Sequence, residues 1–169
     1  MLRSRHLAWI TFGFLLLCSR PAAAQTLVGA GPGYLFDSPG AYWLVTGMGW
    51  IPAKAPDAII FKPLVFSPRI EKYFGNGGFQ GDANMLWDIP LAAEINAHPY
   101  IGMGVGVQHF GDDGFSETKP VLNIVTGFRY KKPEWREQVV LEAAYSSGYH
   151  NANTMVINLA VLFPLPGTK

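Results

Sequence analysis

The 169-residue sequence contains a single cysteine, Cys18, and that residue lies within the first 24 positions. Beyond that point no disulfide, thiol nucleophile or cysteine-based metal site can form. Only 15% of the residues are Asp, Glu, Lys or Arg, and the formal net charge is +1. Because no basic run is present, the composition argues against nucleic acid as a partner.

Long apolar runs are also missing after Gln25, where no stretch of 18 apolar residues and no convincing 3.6-residue period occurs. This absence argues against transmembrane helices and helical bundles. Before that point, basic residues precede an apolar segment from Leu7 to Leu17, and Ala22-Ala23-Ala24 follow it. The segment is too short to be a membrane anchor, and the order is typical of a secretory signal peptide. We therefore predict a cleaved signal peptide over residues 1–24 and a single domain over residues 25–169.

The clearest pattern in the mature chain runs from His98 to Asp112. It places Ile101, Met103, Val105 and Val107 in alternation with Gly102, Gly104, Gly106 and Gln108. A period of two predicts a strand with one broad apolar face and one small or polar face. Glycine is a poor solvent face but suits a crowded barrel lumen, with the aliphatic side chains turned towards lipid. On this view, arginine at position 105 should be far more damaging than serine at position 104.

Eight runs of this kind are separated by segments rich in Gly, Pro, Asn or Asp, which favour turns. The runs cover 26–36, 42–51, 58–67, 79–95, 100–110, 121–130, 138–146 and 154–163. The separators include two long predicted loops, 68–78 and 111–120. Runs of about ten residues can cross a bilayer, and eight is the smallest usual even strand number. We predict an all-β fold, an eight-stranded antiparallel up-and-down transmembrane β-barrel, although the inward and outward faces of the first three runs are ambiguous.

Polar side chains within the runs fall on the face opposite the aliphatic one. The predicted inner polar network comprises Lys62, Asp88, Glu94, Asn123, Arg129, Glu142 and Asn158. Charges in a narrow lumen are unfavourable unless they are paired, so we expect ion pairs and hydrogen bonds that fill the barrel. Arg129 is expected to lie between Glu142 and a carboxylate such as Asp88 or Glu94. An ion pathway or a catalytic carboxylate is the alternative.

The histidines do not form a recognisable metal or catalytic motif. His98, His109 and His150 lack the spacing of metal ligands. The acidic segment from Asp112 lacks the spacing of a calcium loop. We therefore predict no catalytic residue, no cofactor and no metal site.

The signal peptide, the cysteine-free mature chain, the eight alternating runs and a last run ending at Phe163 together resemble the small outer-membrane β-barrel superfamily, the OmpA-transmembrane and OmpX-like proteins. The resemblance implies a monomer in the outer membrane of a Gram-negative bacterium, in contact with membrane lipid and lipopolysaccharide. It also implies that the outer-membrane assembly machinery recognises the C-terminal strand. Family members commonly end on a terminal Phe, whereas Pro164 to Lys169 follow Phe163 here, so that signal would be internal.

Three functions are compatible with the sequence. The first is an outer-membrane barrel of structural, adhesive or narrow-pore type. The second is a lipid-modifying enzyme on the same scaffold, similar to lipid A deacylase barrels, which use a His and a Ser two residues apart on a strand. This sequence has no such pair, and its nearest approximations are His150 with Ser146 or Ser147 and His109 with Ser116. The third is a soluble exported ligand-binding barrel of lipocalin type.

Overall fold

A computed structural model describes residues 25–36, 41–53, 64–74, 78–89, 96–112, 115–148 and 153–166. Eight strands follow one another along these segments. They are β1 (Leu27–Phe36), β2 (Ala41–Ala53), β3 (Leu64–Tyr73), β4 (Phe79–Asp88), β5 (Ala97–Asp112), β6 (Phe115–Tyr130), β7 (Gln138–Gly148) and β8 (Asn153–Pro164). No helix in these segments has the length and apolar character needed to cross a membrane.

The strands form a closed barrel in which each strand pairs with its sequence neighbour in antiparallel orientation. The first strand also pairs with the last, from Leu27 opposite Pro164 to Phe36 opposite Met155. Just beyond the strand ends, the Leu165 amide donates to the Thr26 carbonyl oxygen at 2.9 Å. The predicted eight-stranded antiparallel barrel is confirmed.

The position of β3 differs from the predicted third run. The strand spans Leu64–Tyr73, so the predicted loop over 68–78 is wrong for residues 68–73. Residues 58–63 of the predicted run lie outside the described residues. Arg69 and Glu71 are buried inside the barrel while Ile70 and Lys72 are exposed outside it. The charged segment therefore has strand alternation, with its polar side chains directed into the lumen.

The predicted loop over 111–120 is also wrong for residues 111–112 and 115–120, while residues 113 and 114 lie outside the described residues. Strands β5 and β6 pair along their whole lengths, as far as Asp112 opposite Phe115, and only two residues separate them. Glycine, aspartate and proline suggested a long turn, but cross-strand pairing continues through this part of the sequence. Strand β4 ends at Asp88, and residues 90–95 of the predicted fourth run lie outside the described residues.

The barrel has an apolar exterior, and its interior has a polar middle section between two apolar clusters. On β5, Ile101, Met103, Val105 and Val107 are exposed, as the sequence predicted, while Gln108 is buried. The ambiguous face of β2 is resolved, because Trp43 and Val45 are exposed and Leu44, Thr46 and Trp50 are buried. Large apolar side chains are thus exposed around the outside of the strands, and the buried charged and amide side chains all lie in the lumen, together with apolar side chains such as Leu44 and Trp50.

The inward glycines of β5 are required by close packing. A Cβ atom at Gly104 would lie 2.1 Å from Asn84 Oδ1 and 2.4 Å from the Ala83 carbonyl oxygen on β4. Serine at this position is therefore expected to be unfavourable as well, because the neighbouring backbone would have to move.

We predict that Gly104→Ser lowers the free energy of unfolding by about 1–3 kcal/mol, the usual range for overpacking. The measurement is the urea unfolding midpoint in lipid vesicles. Gly81→Ser on β4 is the control for the added side-chain volume, since a Cβ atom there would meet nothing within 4 Å, although its hydroxyl would face outward rather than into the lumen. Equal midpoints for the two variants would show that β4 and β5 are not in such close contact at Gly104.

Candidate functional site

The most developed polar site is a charged cluster in the lumen, centred on Arg69 of β3. The Arg69 guanidinium donates from Nη2 to Asp82 Oδ2 at 2.9 Å, and its Nε lies 3.3 Å from Glu71 Oε1. It also forms a buried ion pair with Glu142 of β7. These side chains are at most 3% exposed, so three carboxylates share one arginine away from bulk solvent.

Neutral side chains complete the hydrogen bonding of the carboxylates. The Tyr73 hydroxyl donates to Glu71 Oε2 at 3.2 Å, and the Tyr100 hydroxyl donates to Glu142 Oε2 at 2.8 Å. Asn158 Nδ2 donates to Glu71 Oε1 at 3.2 Å, and Gln80 Nε2 donates to Asp82 Oδ1 at 2.9 Å. Each carboxylate therefore has both ionic and neutral partners, which is the condition for holding buried charge.

The cluster extends across the lumen. In an eight-stranded ring β3 and β7 lie opposite each other, and the Arg69–Glu142 ion pair joins them. A second cross-lumen contact runs from Gln80 Nε2 on β4 to Ser146 Oγ on β7 at 3.0 Å. A barrel of this size has room for little beyond its own side chains, so these contacts fill the section of the lumen that they cross.

Arg129 belongs to a separate ion pair nearer the end that carries the chain termini. Its Nη2 donates to Asp88 Oδ2 at 2.7 Å, and its guanidinium carbon lies 5.1 Å from the centre of a Trp50 ring. The expected pairing of Arg129 with Glu142 is not found, because Arg69 occupies that carboxylate. Its pairing with Asp88 is present.

Three of the other predicted network residues lie in the lumen. Asn123, Glu142 and Asn158 are buried in the lumen, and Asn123 Nδ2 donates to Asn84 Oδ1 at 3.4 Å. Lys62 and Glu94 lie outside the described residues. Sequence reasoning missed the central members of the cluster, which are Arg69, Glu71, Tyr73, Gln80, Asp82 and Tyr100. Alternation of Arg69 and Glu71 around Ile70 was the signal that could have revealed β3.

Of the serine and histidine pairs considered for lipid hydrolysis, only that of His109 with Ser116 lies wholly among the described residues. Ser146 points inward and accepts from Gln80, and Ser116 lies opposite Gly111 rather than His109. His109 Nδ1 instead lies 2.9 Å from Thr118 Oγ1. His150 is outside the described residues. In the part of the chain that the structure describes, no three His, Cys, Asp or Glu side chains are grouped as a metal site.

The fold is similar to solved barrels of outer-membrane proteins. The N-terminal β-barrel domain of Pseudomonas aeruginosa OprF has a TM-score of 0.60 and 15% identity, over 83% of this chain and 98% of that chain. Neisserial surface protein A (NspA) has a TM-score of 0.58 and 15% identity, over 85% and 98%. The outer membrane enzyme PagL has a TM-score of 0.53 and 15% identity, over 82% and 99%.

No protein-family model and no curated protein matches the sequence. The structural likeness, at 15% identity, confirms the fold expected from the resemblance, a small eight-stranded barrel of the kind found in outer-membrane proteins. Since the similar barrels include an enzyme, the fold leaves the activity of this chain open.

Proposed function

We propose that the chain is a non-enzymatic integral protein of the Gram-negative outer membrane, of structural type, with a lumen closed to ions. The observation that carries this proposal is the buried Arg69–Glu142 pair, which joins opposite strands across the barrel. A narrow pore would need a continuous aqueous path where these side chains meet. The barrel is further proposed to be a monomer, to contact lipopolysaccharide, and to be recognised by the assembly machinery through β8.

The exterior supports insertion into lipid. Val105, Ile124 and Leu122 are 59%, 59% and 66% exposed near the middle of their strands. In a lipocalin-type barrel the large aliphatic side chains would line the interior and polar ones would face outward, whereas here a charged and amide cluster fills the middle of the interior and large aliphatic side chains cover the outside. Exposed aromatic side chains near the strand ends resemble interfacial girdles: Phe36, Trp43, Phe74 and Phe79 at one end, and Phe128, Trp135 and Phe163 at the other.

The lengths of the connections favour a structural role over an adhesive one. The connections at the end opposite the termini contain four, five, two and four residues, whereas those at the termini contain ten, eight and seven. With eight strands both termini lie at one end, and we propose that this end faces the periplasm. The outer connections would then be the short ones, unlike the longer extracellular loops usual in outer-membrane barrels, and would offer little surface for binding another cell.

We predict that the refolded protein inserts into a planar bilayer without producing steady, stepwise conductance, because the cross-lumen side chains block ion flow. Folding is confirmed beforehand by heat-modifiable migration. The double variant Arg69→Ser with Glu142→Ser shortens both side chains that meet across the lumen, and any conductance should rise in that variant alone. Discrete channels in the parent protein would contradict the proposal and favour the narrow-pore alternative.

A further inference from the structure

A polar pair interrupts the apolar exterior near the end with the short connections. His109 of β5 lies directly opposite Thr118 of β6, and His109 Nδ1 is 2.9 Å from Thr118 Oγ1. The Phe79 ring stacks on the imidazole, with 5.0 Å between ring centres and 28° between planes. Both side chains share the outward face of the barrel with Val105 and Val107, so the pair faces the surrounding membrane.

The pair has a hydrogen-bond donor left over whichever way its internal bond runs. A neutral histidine carries one N–H and threonine carries one O–H. If Thr118 donates to Nδ1, the N–H of His109 lies on Nε2 and is available to an external acceptor. If Nδ1 donates to Thr118, the hydroxyl hydrogen is available instead. Either arrangement presents one donor beside lipid, where an unsatisfied polar group is unfavourable.

A groove on the outer face begins at Pro120 of β6, two residues after Thr118. It has a volume of about 390 Å³ and is lined by Val105, Pro120, Leu122, Ser147 and Gly148. Its walls are the exposed Val105 and Leu122 side chains, and its lining is mostly apolar. Since strand residues advance by about 3.3 Å each, the groove lies roughly 7 Å from Thr118. The outer face thus combines an apolar groove with a donor at one end.

A positive charge lies in the same row of side chains. Register places Lys72 of β3 opposite Phe79 of β4, and Phe79 opposite His109. Lys72 is exposed on the outer face, about two strand spacings, roughly 10 Å, from the imidazole. An anionic group held by the His109–Thr118 pair would therefore be attracted to Lys72 as well.

We propose that this surface binds the phosphorylated lipid anchor of lipopolysaccharide, with one acyl chain in the groove and a phosphate oxygen accepting from the His109–Thr118 pair. The choice of lipid rests on the proposed function. With the chain termini facing the periplasm, as proposed, the short connections and this surface lie at the outer leaflet. Phosphate supplies the acceptor and the negative charge, and the acyl chain supplies the apolar surface that fits the groove.

The test is native mass spectrometry of the folded protein in detergent with added purified lipid anchor. The parent should bind the anchor, and enzymatic removal of the phosphates should weaken binding about tenfold, as expected for a lost hydrogen bond to a charged group. The double variant His109→Phe with Thr118→Val keeps the ring and the side-chain shape. It should show most of this loss with the intact anchor and only a small further loss with the dephosphorylated one, from the lost attraction to Lys72.

Two variants test the groove and its location. Ser147→Phe fills the groove with an apolar side chain that lipid tolerates, and it should weaken binding. Ala30→Phe adds the same ring to the outward face of β1, and Thr126→Val removes another outward hydroxyl of β6. Both should bind like the parent.

Equal binding by the parent and the His109/Thr118 double variant, or no effect of Ser147→Phe, would overturn the site. Equally tight binding of phosphatidylglycerol would overturn the choice of lipid. Release of fatty acid from the bound anchor would show a catalytic site in place of a binding site. Heat-modifiable migration and bilayer recordings test the proposed function separately. A folded, non-conducting barrel that binds no anchor would contradict only the lipid-binding site and not the proposed function.

Discussion

Replacing Arg69 with methionine is expected to destabilise the barrel by roughly 3–5 kcal/mol, the loss typical of removing one partner of a buried ion pair. Methionine preserves much of the side-chain volume but leaves Glu71, Asp82 and Glu142 in the lumen without their shared cation. Their remaining hydrogen bonds to neutral partners do not balance the charge. The free energy of unfolding in lipid vesicles, from urea titration followed by tryptophan fluorescence, measures the effect.

A second substitution tests whether unpaired charge causes that loss. Adding Glu142→Gln to Arg69→Met removes one of the uncompensated anions, so part of the lost stability should return. Arg136→Met is the matched control, because Arg136 is exposed in the connection between β6 and β7. An Arg69→Met protein with the parent's unfolding midpoint would show that the lumen does not depend on this cation.

Replacing Val105 with arginine is expected to destabilise the barrel by about 2–4 kcal/mol, the range for arginine at the bilayer midplane. Val105 lies near the middle of β5 and is 59% exposed on the outer face. The guanidinium would have to enter hydrocarbon or deform the bilayer around it. The measurement is again the unfolding midpoint in vesicles, together with the yield of folded protein.

The control for this prediction is the same substitution at an outward residue near the expected membrane interface. Val28 also faces outward but is the second residue of β1, close to the expected interface. Val28→Arg should therefore lower the free energy of unfolding by only about 0–1 kcal/mol. If both variants were tolerated equally in vesicles and the protein stayed soluble without detergent, the outer face would contact water, and the lipocalin-type alternative would replace the membrane barrel.

The fold could be predicted wherever one face of a strand is uniformly apolar. On β8, Met155, Ile157 and Leu159 alternate with buried residues, and the structure places them outside as the sequence indicates. Period-two alternation depends only on the geometry of the strand, so it can be recognised in the sequence without knowing which strands are neighbours. The number of strands and the closed topology follow from repeating this pattern eight times.

Strand β3 could not be recognised because its polar residues resemble those of a loop. Pro68, Arg69 and Lys72 are common in connections, and Lys72 points outward and so obscures the alternation. The error removed Arg69 from the candidate lumen and left Arg129 as the apparent partner of Glu142. The predicted network was therefore missing its central cation.

Contacts across the lumen depend on information that a strand pattern does not contain. Whether Arg69 meets Glu142 is decided by which strands lie opposite and by the register of every pair between them. A shift of one residue in any of these pairs would redirect the side chains. The same holds for the His109–Thr118 pair, which requires the register between β5 and β6.

The seam between β1 and β8 has a consequence for the folding pathway. Every other strand pair joins sequence neighbours, but this one joins Leu27 with Pro164, so its contact order is far higher and its formation is expected to be the slow step. Until it forms, both terminal strands carry unpaired backbone groups that hydrocarbon cannot solvate. The seam is also tightly packed, since a Cβ atom at Gly31 would lie 1.9 Å from the Leu159 carbonyl oxygen. In the proposed membrane location, closure is therefore expected to accompany entry into the bilayer, as one concerted event rather than hairpin by hairpin.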